Sequence, residues 1–457
     1  MKQEVAATEE VAVGTARDVV DRRSWKELNR TLELDTRLLG MLAALAVIWL
    51  GFHVMSDGKF ITSRNLWNLS VQSTSIAIMA TGMVLIIVTR NIDLSVGSLL
   101  GFLGYTMALV QTDGMISVFG MNLTIDGLKG HWYTWLAALA LGIALGAFIG
   151  LVQGSLVAYV GIPAFIVTLG GFLAWRGLIF RTGGKQGQTL APLDGTFRYL
   201  GGAPERSLGE WKSWLIAVLV CVGIVMSLVL SRRRRQRHDL SVRPVGADVG
   251  LGVVGCGAVL LGVWWISIRY GSPVTGDPVG IAYPVLILIG VTGFMTYLAR
   301  RRRFGRYVYA YGGNPEAAEL GGINTRRTVT ATFMVMGMLC ALSAAIQTAR
   351  LNSATTNLGV QNELDVIAAA VIGGTSFSGG IGTIPGAVLG AVVMQSLRSG
   401  MSLLNIDSPT QDIVVAIVLV TAVAIDSLLR QRRRSMVIGA LAVGVVIAGI
   451  VIQTGRP

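Results

Sequence analysis

Twelve apolar runs at or near membrane-spanning length punctuate this 457-residue chain. They begin at roughly 38–55, 68–88, 94–112, 133–157, 164–181, 213–230, 249–268, 281–299, 328–349, 383–404, 411–429 and 435–453. A span needs about 20 apolar residues. A thirteenth piece, 363–374, is shorter and runs into a Gly/Ser-rich break, so it reads as a short or broken span. The fold class is therefore an all-α polytopic helical membrane protein of about 13 spans with broken Gly-rich helices. The charged fraction of 14% against the usual ~25% excludes a soluble globular enzyme and a disordered chain. Glycine, 58 of 457 residues, is well above its ~7% average, as close helix approach in a bilayer favours.

The net charge of +13 comes in short basic runs between apolar stretches, which orients a membrane protein rather than binding nucleic acid. Arg232–Arg235 with Arg237 and Arg243 follow span 6, Arg300–Arg303 with Arg306 follow span 8, and Arg430 with Arg432–Arg434 follow span 12 when 363–374 counts as a crossing. All three follow even-numbered spans, so the positive-inside rule puts that side and the N-terminus in the cytoplasm. The N-terminal ~37 residues lack an apolar signal region and form a cytoplasmic tail. Residues 38–430 make the main membrane domain, with two of its spans within 213–268 and a long inner loop at 300–327, and 431–457 holds a further C-terminal span.

Chemistry is conspicuous by what is missing. No G-x-x-x-x-G-K-[ST] loop occurs, so this chain does not cradle ATP in that way. No catalytic set is evident, and Cys221, Cys256 and Cys340 have no metal-ligand spacing, so no catalytic residue and no metal site are expected. Asp93 is expected at the inner start of span 3, Arg176 within span 5, and Glu363 and Asp365 at the outer edge of the short span. Asp426 is expected to pair with the inner Arg cluster. None is placed as a midplane charge relay, which disfavours ion coupling.

Three segments carry information. In the inner loop, Asn314 is a good N-cap, Pro315 suits the first helical position, Glu316 complements the positive helix end, and Gly321-Gly322 stops the helix. The result is a short displayed helix whose small Ala317–Ala318 face can pack into a partner's groove, or else a mere connector. In Gly373–Gly390, seven glycines and a proline cannot make an ordinary continuous span. The stretch either breaks near a pathway, through Thr375, Ser376, Ser378, Gly379, Gly380 and Gly382, or packs closely through Gly382, Gly386 and Gly390. In Asn91–Gly101, Asn91 or Asp93 is expected to cap the following helix, with Ser95 and Gly97 close to the pathway. Val96–Gly101 also matches Ile381–Gly386 as an internal repeat of parallel sense. Gly142, Gly146, Gly150 and Gly154 make one flat face for a close helix neighbour.

These segments resemble the permease subunit of bacterial ABC sugar importers in the ribose/xylose branch. The stretches that carry the likeness are Asn91–Gly97, Tyr311–Asn324 and Val371–Gly390, and the xylose-type permeases are most similar because they too carry extra spans mid-chain. The resemblance implies a homodimer of ten-span cores in the bacterial inner membrane. It implies a periplasmic sugar-binding protein as one partner and a cytoplasmic ATPase subunit as another, with ATP and magnesium on that subunit and no cofactor in this chain. The family's coupling segment maps onto Gly312, Gly313, Asn314, Pro315, Glu316, Ala317, Ala318 and Ile323; Gly321 departs from the Ser common in relatives. Three alternatives stay open: an ion-coupled secondary transporter, the same architecture for a furanone or an amino acid, and a membrane enzyme, for which no nucleophile is apparent.

Overall fold

A computed structural model describes residues 36–118, 121–125, 129–182, 187–238 and 244–430. The expected N-terminal tail, the span at 435–453 and the Arg432–Arg434 cluster lie outside the described residues, as does the side chain of Asp426.

Fourteen helices are present among the described residues: α1 Thr36–Met55, α2 Ser63–Val88, α3 Val96–Asp113, α4 Thr134–Ser155, α5 Ala164–Arg181, α6 Glu210–Arg237, α7 Val245–Gly262, α8 Tyr283–Arg301, α9 Arg303–Gly313, α10 Pro315–Leu320, α11 Thr325–Leu351, α12 Asn362–Ile372, α13 Ile384–Leu403 and α14 Ser408–Arg430. Each expected apolar run in this range is a helix. Seven of the helices, some extended by their terminal turns, are long and apolar enough to cross a membrane. A π turn extends α4 to Val160 and another extends α7 to Ile268. The loop after α3 holds a small antiparallel hairpin, Met115–Val118 with Met121–Thr124.

The described residues form two compact units. The larger holds residues 41–210 and 266–430. Its centre is α2, buried along nearly its whole length and packed on α8, α11, α12 and α13. The second half of α2, 76–88, is apolar nearly all round, with Ile78, Met79, Met83, Leu85 and Ile86 fully enclosed, and has to sit inside a bundle. The glycine face of α4 does what its spacing predicted. Gly146 and Gly150 lie against the backbone of Gly337 and Phe333 on α11, leaving no space for a Cβ, and Gly142 meets Met107. Thr330 Oγ1 donates to Gly154 O at 3.2 Å along the same seam.

The smaller unit includes described residues from 211–265, most of them in the α6–α7 hairpin. Cys221 and Cys256 face each other across it as free thiols, and Arg232 pairs with Asp248 at 2.8 Å. Leu219, Val222, Val253 and Val254 are exposed on its surface, as helices bathed in lipid require.

Candidate functional site

The short helix α10 forms for the reasons its sequence gives. Asn314 is extended at φ −150°, and its Oδ1 accepts from the Ala317 amide at 3.1 Å. Pro315 occupies the first turn with Glu316. Gly321 ends the helix, Gly322 turns at φ +80°, and the half-buried Ile323 donates its amide to Ala318 O at 3.0 Å. One expectation is corrected. Ala318 is only 5% exposed and packs inside the chain, so an Ala317–Ala318 face is not what α10 displays. The displayed residues are Glu316, Ala317, Glu319 and Leu320, the last 91% exposed.

The segment just before α10 meets the other two informative segments at one point. α2 ends at Val88, and Arg90 turns the chain at φ +61°. Its Nε donates to Gly312 O at 2.9 Å and its Nη2 to Gly313 O at 2.8 Å. The Gly380 amide donates to Val88 O at 3.0 Å, and Tyr309 Oη donates to Gly382 O at 2.7 Å. Gly312 has to be glycine because a Cβ there would collide with Val88 O and come 2.6 Å from Gly380 N. Burial pushes the Tyr309 hydroxyl above its ordinary value, with Arg300 pulling it down, so it remains a donor at neutral pH. The result is a three-way junction of the end of α2, the α9–α10 corner and the loop 373–383. Arg90, the residue that ties it, carries no sequence signal beyond its place before Asn91.

The Gly-rich segment is broken in its first half and closely packed in its second. From Gly373 to Thr383 the helix is broken, with Gly374, Gly379 and Gly380 at φ +86°, +83° and +72°. The freed backbone is satisfied inside the protein: Thr375 N donates to Ala370 O and Ser376 N to Ile381 O. Thr375 and Ser376 are buried, while Ser378 is exposed. From Ile384 onward the chain is helical, capped by Thr383 Oγ1 on the Gly386 amide at 3.2 Å. Gly386 and Gly390 then sit against the backbone of Gly373 and Ala369 at the end of α12. The proposed repeat does not superimpose in register. Val96–Gly101 is helical throughout, whereas Ile381–Thr383 precedes its helix.

Residues 91–97 correct a second expectation. Neither Asn91 nor Asp93 caps α3. Asn91 Nδ2 donates to Thr89 O at 3.0 Å. Asp93 Oδ1 accepts from Ser95 N at 2.9 Å and Ser95 Oγ at 2.7 Å, a local turn that competes with the cap. The segment lies at the start of the α3 span, as expected. Asp93 and Ser95 are buried, and Ser95 Oγ accepts from Gln153 Nε2 of α4 at 3.0 Å. Gly97 is pressed against Gly359 O and the Glu363 carboxylate, with no room for a Cβ. The chain thus climbs into the bundle as an extended segment before α3 begins. Asp93 and Ser95 lie along this segment, and Gly97 is in the first turn of α3.

Glu363 and Asp365, expected at an outer edge, are both buried at the start of α12. Asp365 receives a two-point contact from Arg398 of α13, Nε to Oδ2 at 2.8 Å and Nη2 to Oδ1 at 2.9 Å. Arg398 also reaches Asp412 at 3.3 Å. Arg176 donates to Thr356 O at 3.0 Å and Leu358 O at 3.3 Å. Gln153 and Arg398 were not singled out in the sequence; their signal was a long polar side chain inside an otherwise spanning run.

Comparison with known proteins completes the assignment. The family model described as "Branched-chain amino acid transport system / permease component" matches residues 65–423. The xylose transport system permease protein of Haemophilus influenzae is 36% identical over 387 residues, covering 85% of this chain and 95% of the relative. The Escherichia coli K12 xylose permease is 36% identical over 399 residues, 87% and 94% of the two chains. The ribose import permease of the same organism is 33% identical over 390 residues, 85% and 92%. No solved structure matches. The chain belongs to this family of transport-system permeases, in the ribose/xylose branch of ABC importers, and is a multi-pass transport subunit of the inner membrane.

Proposed function

We propose that this chain is the membrane pathway through which an ATP-driven importer moves a monosaccharide, xylose before others. The observation that carries the coupling half of this reading is the junction at Arg90. One guanidinium holds the α9–α10 corner, which leads directly into the displayed helix, to the end of the central helix α2, and the broken loop 373–383 joins them through the Gly380 amide on Val88 O and Tyr309 on Gly382 O. A push on α10 reaches both a core helix and the pathway loop through hydrogen bonds and a glycine contact, without a flexible element between them.

Xylose is favoured because the xylose permeases match over most of this chain at a higher identity than the ribose permease does. In this reading Gly312, Gly313, Asn314, Pro315, Glu316, Ala317 and Ile323 build the coupling segment, with Ala318 as its internal anchor and Leu320 as its displayed apolar contact. Thr375, Ser376, Ser378, Gly379, Gly380 and Gly382 form the moving loop with Asn91, and Asp93, Ser95 and Gly97 fix the climbing segment beside it. ATP and magnesium sit on a cytoplasmic ATPase subunit, a periplasmic sugar-binding protein delivers the solute, and two copies of this chain enclose the path. The basic ends of α6 and α8 favour placing them, and with them α10 and the N-terminus, in the cytoplasm.

The test is purification of the tagged chain from native membranes, followed by assay for vanadate-sensitive ATP hydrolysis and for uptake in proteoliposomes. A stoichiometric ATPase and sugar uptake insensitive to protonophore support the reading. An ATPase-free chain that moves solute only with an ion gradient overturns it. Buried Glu363 and Asp365 are the residues that favour that second, ion-coupled class, although Asp365 is already neutralised by Arg398.

A further inference from the structure

We infer that a polar recess inside the larger unit, floored by Ser75, Gln347 and Gln395, binds a neutral polyhydroxylated solute of monosaccharide size as it passes. The inference rests on the permease reading above and adds to it a site within this chain.

The recess has a volume of about 320 Å³, the lower end of the ~300–1,000 Å³ range of small-molecule sites. Ser75 is midway along α2, and Gln347 lies near the end of α11 farthest from α10. That helix has 27 residues, about 40 Å at 1.5 Å per residue, so the recess and the coupling helix are at opposite ends of the bundle. Its floor is enclosed: Ser75 is 6%, Gln395 9% and Asp365 2% exposed. Its rim, including Arg350 and Gln361, is open.

The chemistry of the walls selects the solute class. Gln395 Nε2 donates to Gln72 Oε1 at 2.9 Å. Ser75 Oγ at 3.3 Å and Asn362 Nδ2 at 3.1 Å both donate to Gln347 Oε1. Each amide therefore spends one end on a neighbour. The other ends, donors Gln72 Nε2 and Gln347 Nε2 and acceptors Gln395 Oε1 and Asn362 Oδ1, have no protein hydrogen bond among the described residues. Leaving such groups unpaired inside an apolar bundle is costly, so water or a solute has to meet them. A sugar hydroxyl both donates and accepts, which matches a wall that mixes the two. The deep charges are closed off: Arg398 is held by Asp365 and Asp412, so the floor offers hydrogen bonds with little net charge. An ion site would need the opposite, an uncompensated charge at that depth.

The test uses the full-length chain assembled with its ATPase and binding protein in nanodiscs. Ser75→Cys is introduced with Cys221, Cys256 and Cys340 changed to alanine, and its rate of reaction with a small methanethiosulfonate reagent is measured. D-xylose or D-ribose near 0.1 M is expected to slow labelling about threefold or more, as occupancy at roughly twice the dissociation constant does. L-leucine at the same concentration is expected to leave it unchanged, as is either sugar for a Val253→Cys control on α7. Labelling indifferent to both sugars, or slowed equally by leucine, overturns the inference. A second readout does not depend on the cysteine variant: Gln72→Leu and Gln395→Leu are each expected to lower sugar uptake about tenfold, the effect of one lost buried hydrogen bond to the solute, while binding-protein-stimulated ATP hydrolysis persists. Wild-type uptake with both substitutions inert sinks the recess alone. A wild-type complex that takes up no monosaccharide sinks the permease reading with it.

Discussion

The Arg90 guanidinium donates to the carbonyl oxygen of Gly312 at 2.9 Å, joining residues 222 positions apart. The bond is made to a carbonyl at the end of α9, one of the orphan acceptors that every helix C-terminus leaves. Arg90 takes a second orphan at Gly313, so one side chain closes the end of α9 and fixes the start of α10. Its own backbone at φ +61° is a strained choice for arginine, sustained by these contacts.

Replacing Arg90 with methionine removes both bonds, each charge-assisted and worth about 1.5–3 kcal/mol when enclosed; Nη2 is the more exposed end, so the lower figure applies there. Folding should survive, because the core of α2 is untouched. Sugar moved per ATP in the reconstituted complex should fall roughly tenfold, inside the ~1–3 kcal/mol range of coupling energies. Unchanged stoichiometry in Arg90→Met would remove Arg90 from the transmission path.

Gly312 and Gly313 are adjacent but should behave oppositely. Gly312→Ala drives a Cβ into Val88 O and Gly380 N, and should cost about 1–3 kcal/mol through backbone displacement. Gly313→Ala meets nothing within 4 Å and should change stability by no more than about 0.5 kcal/mol. Thermal unfolding of the two purified variants in the same detergent measures the difference, and equal midpoints would contradict the packing described at the junction.

Ala318 and Leu320 separate folding from docking. Ala318→Trp overfills a buried position and should lower the melting temperature of the chain itself. Leu320→Asp alters a side chain already in solvent, so the chain alone should melt as the wild type does. Its retention of the ATPase subunit should weaken by 1 kcal/mol or more, about fivefold or greater, if Leu320 anchors the interface. Quantitative co-purification decides this, and full retention by Leu320→Asp would place the contact elsewhere on α10.

Asp365→Asn leaves Arg398 with Asp412 alone. Breaking a fully buried pair costs about 3–5 kcal/mol; the Arg398 side chain is 21% exposed and keeps one partner, so about 1–3 kcal/mol is expected. The double change Asp365→Leu with Arg398→Met should recover most of that loss, since only Asp412, whose side chain is 29% exposed, then loses its partner. Failure of the double variant to melt above Asp365→Asn would show that the pair does more than neutralise itself.

The sequence alone determined the apolar helices of the described range to within a few residues, the capped helix after Asn314, the break after Ile372 and the packing face of α4, but not the helix α9 ahead of Asn314. These follow from local rules: apolar run length, capping chemistry, the conformational reach of glycine. It could not place depth or partners. Asp93, Glu363 and Asp365 each sit beside the end of an apolar run, and that position alone does not tell that all three side chains are buried inside the bundle. Ala318 looked displayed because its helix is, but one turn of a short helix always faces the chain it came from. Arg90, Gln153 and Arg398 acquire meaning only from what lies across the bundle, on helices tens or hundreds of residues away. Tertiary structure decided those pairings because hydrogen bonds and charge compensation depend on distance in space, which hydrophobic periodicity along the chain does not encode.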